Sequence, residues 1–355
     1  MSKGYEGWIN IREGNGWGST TVREGMFYYV DSVDLSPNKE FTERPEKIVF
    51  GRGLKSAHRT SGAQKPGGSV DFQPRSDDLP MVLMSHCQMY NGTVSAGVAT
   101  YTFTNVKTQP DWAGATYGTG AVASLYPTAA GDMFVVDVEK KFHDVTTSAN
   151  KEEYISCIAD EITLTAAANE DLKLSASFKA DSYGSVNSAA SEDPNSSQGS
   201  YSTNSQFDYF RGTMTVAGDA STAIDITNFS VTSSNGAEER VVIGQLNPSK
   251  YPFGRTSIKG EFTLDMPDDG LKHVGSMLDN VTFALTGTWF NAANDQIAFN
   301  MPDCRRDPFG VNQSGGEETN EMTIPYTAYE SADGDTAPIT WTVITTGLGS
   351  AFDIV

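Results

Sequence analysis

Residues 68 to 86 run Gly68-Ser69-Val70-Asp71-Phe72-Gln73, then Pro74-Arg75-Ser76-Asp77-Asp78, then Leu79-Pro80-Met81-Val82-Leu83-Met84-Ser85-His86. The first six alternate, so Val70 and Phe72 fall on one face of a half-buried strand and Ser69, Asp71 and Gln73 on the other. Two acids and a proline then open a short helix in which Leu79, Val82 and Leu83 share a face. Much later the chain repeats the pattern: Gly260-Glu261-Phe262-Thr263-Leu264-Asp265, then Met266-Pro267-Asp268-Asp269-Gly270, then Leu271, Val274 and Leu278. At a constant offset Gly68 matches Gly260, Val70 matches Phe262, Phe72 matches Leu264, Asp77 matches Asp269, Leu79 matches Leu271 and Val82 matches Val274. A repeat of this length is a domain's worth of chain rather than a solenoid unit, and it predicts two copies of one fold in tandem.

At 355 residues the chain is long enough for both copies to bury a core. No apolar run approaches a membrane span, and Lys3-Gly4-Tyr5-Glu6 is not the start of a signal peptide, so the expectation is a protein made and kept in the cytoplasm of its host. Cys87, Cys157 and Cys304 are too few and too far apart for a disulfide framework or a zinc site and read as reduced, mostly buried thiols. The 45 acids against 25 bases, a formal net charge of -20, argue against gripping nucleic acid, because that needs Lys and Arg at the phosphates.

In chain order, residues 1–24 carry Trp8 and Trp17 among glycines and charges and read as an arm that packs on a neighbour or on its own domain. A first β domain is expected over 25–181, beginning with the aromatic, β-branched strand Phe27 to Leu35. Between Ser36 and Gly68 lies a long connection with Lys39, Arg44, Lys47, Arg52, Lys55, Arg59 and Lys65 against Glu40, Glu43 and Glu46, a basic island in an acidic protein. Its middle, Lys47-Ile48-Val49-Phe50, is strand-like, which favours an extended hairpin arm over a solvated loop. The matching connection later in the chain, about Thr232 to Lys259, is shorter and less basic, with Arg240 and Lys250. Ser, Asn and Gly dominate 182–206, read as an interdomain linker, and a second β domain follows over 207–355. Many short alternating strands predict antiparallel sandwiches or barrels, each with one short helix.

The sequence holds no nucleophile elbow, Walker loop, H-E-x-x-H or EF-hand. Asp77-Asp78 and Asp268-Asp269 sit where a helix's first turn explains them more simply than glycosidase chemistry does. Asp333-Gly334-Asp335 reads as a hairpin tip rather than a calcium site. His86 continues a helix face as a satisfied interior histidine, and His273, beside Lys272, is expected to be exposed. No catalytic residue, metal or cofactor is therefore assigned.

The order of strand, long charged connection, Gly-Ser-Val-Asp-Phe-Gln strand, Asp-Asp-Leu-Pro helix and further strands resembles the tail tube proteins of long-tailed bacteriophages, as does Glu46-Lys47-Ile48-Val49-Phe50-Gly51-Arg52 before a Gly-led strand. The resemblance spans about residues 20–345. It implies a structural virion protein whose β domains form rings around a channel, six domains to a ring and hence three two-domain chains, or six. It also implies stacking through the long loop, with Lys39, Arg44, Lys47, Arg52, Lys55, Arg59, Lys65, Arg240 and Lys250 as the assembly surface. Implied partners are further copies of the chain, a tape-measure protein and transiting DNA in the lumen, and the tail terminator and distal tail proteins, with no membrane. An acidic lumen would let DNA slide. The alternative is a virion decoration or carbohydrate-binding sandwich with Trp112 and Tyr117, or Trp289 and Phe290, as an aromatic platform; an acidic β-sandwich hydrolase ranks third.

Overall fold

The computed structural model describes residues 8–13, 25–28, 30–43, 59–95, 97–105, 134–141, 151–185, 199–201, 204–218, 226–248, 251–265, 270–292, 294–310, 321–330 and 336–346. In chain order these form β1 (Trp8–Glu13), β2 (Gly25–Tyr28), β3 (Val30–Ser36), β4 (Lys39–Glu43), β5 (Arg59–Gln64), β6 (Gly67–Phe72), α1 (Leu79–Cys87), β7 (Gln88–Ser95), β8 (Val98–Asn105), β9 (Val136–Lys141) and β10 (Lys151–Ala167). There follow β11 (Lys173–Lys179), β12 (Ser182–Ser185), β13 (Gly199–Tyr201), β14 (Gly212–Ala217), β15 (Ile226–Ser234), β16 (Ser257–Asp265), α2 (Gly270–Leu278), β17 (Phe283–Ala292), β18 (Asp295–Arg306), β19 (Glu321–Ala328) and β20 (Thr340–Thr345). The protein is mainly β with antiparallel sheets and two short helices, as the alternation of its residues predicts.

A long sheet runs β3-β6-β11-β10-β15-β16-β19 and ends on the last residues of β18. A second sheet runs β7-β8-β20-β18-β17-β14. The two face each other across an aromatic core, in which Phe229 of the long sheet stacks 5.0 Å from Phe299 of the second and Phe299 lies 5.9 Å from Trp341. Each such buried ring contributes about 2–3 kcal/mol of burial free energy. Both sheets join the two halves of the chain, through β10–β15 in one and β8–β20 in the other. Strand pairing therefore links the halves directly, beyond whatever residues 182–206 supply.

Both glycine-led strands occupy the same kind of place. Gly68 faces Phe178, Val70 faces Ala176 and Phe72 faces Leu174, while Gly260 faces Tyr326, Phe262 faces Ile324 and Leu264 faces Met322. A side chain at either glycine would overlap a neighbouring carbonyl, that of Asp34 at Gly68 and that of Ser230 at Gly260. The opening above Gly260 lets the Tyr326 hydroxyl reach the Ser230 carbonyl at 3.1 Å. Both helices end on a left-handed residue, Gln88 (φ 62°) and Asn280 (φ 53°). Two buried thiols also match: Cys157 donates to the Tyr154 carbonyl and Cys304 to the Met301 carbonyl, each three residues back.

Several elements differ from what the sequence suggests. Tyr154–Ile158 and Ile162–Thr165 belong to one strand, β10, which leaves one sheet and enters another where Ser156 takes φ 54° and its N–H meets Asp137 Oδ1 at 2.7 Å. Trp8–Glu13 docks on its own chain between β2 and β9, with Ile9 and Ile11 buried and Arg12 paired to Glu153 at 2.7 Å. The ends of the predicted linker are strands, β12 against β10 and β13 parallel to β2; residues 186–198 lie outside the described part. Asp78 does not cap α1 with its carboxylate, which instead accepts the Arg75 N–H at 2.9 Å. All of α1 is buried, not one face of it, because both halves of the chain cover it.

Candidate functional site: the open face of the long sheet and the two excursions

On the face of the long sheet turned away from the core, the register brings hydroxyls together. Thr163 and Thr232 hydrogen-bond at 2.9 Å across β10 and β15, and Thr263 and Thr323 at 2.9 Å across β16 and β19. Asp71 accepts from Ser175 at 2.5 Å and from Ser32. Two lysines of this face are held by acids, Lys179 by Asp160 and Lys173 by Glu170, each at 2.7 Å. Strands that alternate apolar with Ser or Thr put every large apolar side chain inward, so the surface left outside is polar and flat. Among the described residues this face also carries Lys259, exposed on β16.

The predicted hairpin arm is present at its base. β4 and β5 pair antiparallel, with Lys39 opposite Gln64 and Glu43 opposite Arg59. Lys39 is exposed, its ammonium 5.7 Å from the centre of the Phe41 ring. Lys65 bridges Glu40 at 3.1 Å and Glu239 at 2.6 Å, and these two hydrogen bonds raise its pKa. Arg44, Lys47, Arg52, Lys55 and Lys250 lie outside the described residues, as does the strand-like Lys47–Phe50; Arg240 is exposed in the second excursion. The structure brings the two excursions side by side, since Gln64 N–H also donates to the Leu246 carbonyl at 2.8 Å. From its sequence the second excursion reads as shorter and less basic. It carries Val241, Val242, Ile243 and Leu246 exposed, with Ile243 fully so, and that run of apolar residues was the signal to be read.

Between the halves lies a buried polar network. His86 Nδ1 donates to the Ala159 carbonyl at 2.9 Å, which leaves Nε2 to accept from the Ser233 hydroxyl at 2.8 Å. Asn235 donates to the His86 carbonyl at 2.6 Å and accepts from Asn105 at 3.1 Å. Burial lowers the His86 pKa to about 4, so it is a neutral structural group, in keeping with the reading of it as a satisfied interior histidine. His273 is not exposed as expected; it is buried against the Arg306 guanidinium, which lies over the Phe283 ring.

Other candidates change as well. Asp78 is buried and its pKa raised by that burial, and Asp77 is buried beside it, so neither faces solvent as a hydrolytic carboxylate would. Asp268, Asp269 and Asp333 to Asp335 lie outside the described residues. Trp289 belongs to the core, 6.0 Å from Phe299, and only Phe290 is exposed, so that pair forms no aromatic platform; Trp112 and Tyr117 are outside the described part. The three cysteines are buried and free, Cys304 with its pKa raised to about 12 by burial. No helix among the described residues is long and apolar enough to cross a membrane.

No curated relative matches the chain. A family model for phage tail tube proteins matches residues 14–343, nearly the whole length and both halves. With that match on a mainly β chain built of antiparallel sheets, the protein belongs to the phage tail tube protein family and is a structural protein of the bacteriophage tail.

Proposed function

We propose that the chain is two copies of one tube domain and assembles as a trimer, six domain copies to a ring, with rings stacked into the tail tube. The observation that carries this is the strand order of the long sheet. The first half contributes β3-β6-β11-β10 and the second β15-β16-β19 with the end of β18, the same order with the same registers at Gly68 and Gly260. A unit that repeats once inside a chain, joined head to tail, continues the same way from chain to chain and closes when the rotation allows. The long sheet then lines the channel. Its hydroxyl face, with Lys173 and Lys179 already neutralised, lets DNA pass without adhesion, and the acidic whole repels it.

Stacking falls to the paired excursions. The basic hairpin of β4 and β5 and the apolar tip of residues 241–246 project together, one suited to an acidic rim and the other to an apolar recess of the neighbouring ring. The tape-measure protein, tail terminator and distal tail proteins are the natural further partners of such a tube. Electron microscopy of the concentrated protein, with the mass of its smallest species, tests the reading: trimers and stacked rings support it, and a monomer that never forms rings refutes it. Arg52→Glu with Arg59→Glu, and separately Ile243→Asp, should leave rings intact and shorten or abolish tubes.

A further inference from the structure

The joint between the two halves has a counterpart left open at the far edge of the molecule. At the inner joint, Asp160 is the anchor: its carbonyl accepts the Asn235 N–H at 2.8 Å, its Oδ1 accepts the Ala237 N–H at 2.7 Å, and its Oδ2 holds Lys179. Beside it His86, at the end of α1 and wholly buried, is covered by Ser233 and Asn235. In the second half Asp307 stands where Asp160 does: it comes directly after Arg306, which faces Tyr326, as Asp160, at an irregularity within β10, comes directly after Ala159, which faces Phe178, and its Oδ2 accepts from Thr327, the residue in the place of Lys179. The surrounding backbone is similar though one residue out of step, the Tyr329 N–H meeting the Asp303 carbonyl and the Asp181 N–H that of Ile155.

By the same alignment Leu278, two residues before the left-handed Asn280, takes the place of His86, two residues before the left-handed Gln88. His86 is 0% exposed and Leu278 is 75% exposed. Asn280, two residues beyond Leu278, lines a concave surface with Asp303, Arg305, Asp307 and Tyr329. At the opposite end of the chain, β3 pairs with β6 alone among the described strands. Leu35 faces Gly68 as Val231 faces Gly260, so Pro37 stands where Ser233 does, Lys39 where Asn235 does, and Phe41 where Ala237 does. Ala237 is 3% exposed within its joint, whereas Phe41 is 48% exposed.

We infer that Leu278 and Asp307 form the docking surface for the β3 end of a second copy of this chain, Pro37 covering Leu278 and the Lys39–Phe41 backbone meeting Asp307. The inference deepens the ring reading and rests on it. The two joints share a layout and differ in chemistry: a histidine–serine hydrogen bond suits a joint made once as the chain folds. A leucine–proline contact suits one made between folded chains, because an exposed leucine costs the free subunit little and gains from burial on contact. Lys39 brings a positive charge to an edge bearing Asp303 and Asp307, which favours this orientation over the reverse.

The test is a disulfide between copies. Pro37→Cys combined with Leu278→Cys, oxidised under assembly conditions, should give covalent dimers and closed trimers on a non-reducing gel, and neither single variant should. Leu278→Glu, at an exposed site that leaves folding intact by circular dichroism, should raise the concentration for half-assembly about tenfold or more. A double-cysteine protein that builds normal tubes yet stays uncrosslinked, or a Leu278→Glu protein that assembles as the parent does, overturns the docking surface and leaves the tube reading standing. A parent protein that forms no rings at all refutes the tube reading itself.

Discussion

The ends of the two helices show how one layout serves two purposes. At the end of α1, His86 is enclosed by groups from both halves and makes hydrogen bonds from both ring nitrogens; at the end of α2, Leu278 stands in solvent. The helices differ in the same sense along their length, since α1 is buried on every side and residues 274–277 of α2 are only partly covered. A polar group can be buried permanently when its partners are covalently tethered and always present. A surface that must stay soluble before it meets a partner does better with one apolar side chain than with an unsatisfied polar one.

The largest effects should come from the glycines that set both halves. Gly68→Ala adds an unfavourable left-handed-side φ of 146° to an overlap with the Asp34 carbonyl, and should cost about 4 kcal/mol or more in chemical denaturation. Gly260→Ala meets the Ser230 carbonyl and the Tyr326 hydroxyl without the φ term and should cost about 2–3 kcal/mol. Equal costs would mean that backbone conformation contributes nothing at Gly68.

Next, His86→Ala should destabilise the chain by about 3 kcal/mol, because it empties a buried site, takes the ring partner from the Ser233 hydroxyl and leaves the Ala159 carbonyl only its 3.3 Å bond from Asn235. Leu278→Ala should change the stability of the isolated chain by less than about 0.5 kcal/mol. If both cost the same, the contrast between the two helix ends fails.

The joint also carries a pH signature. His86, with its pKa lowered to about 4, binds its proton in the unfolded chain first, so stability falls as pH drops from about 6.5 toward 4, by about 3 kcal/mol in all. Asp137 opposes it: burial raises its pKa to about 7, the folded chain holds the proton more tightly, and stability grows as pH drops from about 7 toward 4. Denaturation of Asp137→Asn across this range should therefore show stability falling more, or growing less, toward acid than in the parent, while the buried Asp78 and Asp181, whose pKa values are raised too, still oppose His86. A small effect also belongs to Lys65→Ala, which removes the ion pairs between the two excursions and should cost under about 1 kcal/mol at low salt and less at high salt.

Much of this was legible in the residues. Alternation at Val70 and Phe72 and again at Phe262 and Leu264 marked the two central strands, and a run of bases between Ser36 and Gly68 marked the hairpin, because both are local properties of side-chain order. The aromatic pairs were not: Trp289 and Phe290 adjoin in sequence, yet one is core and the other surface, as period 2 demands of neighbours in a strand. His273 misled for a related reason, since its burial depends on Arg306, 33 residues away, lying over Phe283.

By itself the sequence determined the fold class, the two glycine-led strands and the acidic balance, which follow from local pattern and composition, and its resemblance in layout pointed to the family. Only the tertiary structure decided that the halves share both sheets, that Trp8–Glu13 is an inner strand, and that His86 is enclosed while Leu278 stands in solvent. Those facts depend on which edges pair and what covers each helix end. Such contacts join residues more than sixty positions apart, as Ala167 and Asn228 are, where the order of neighbours along the chain carries no information.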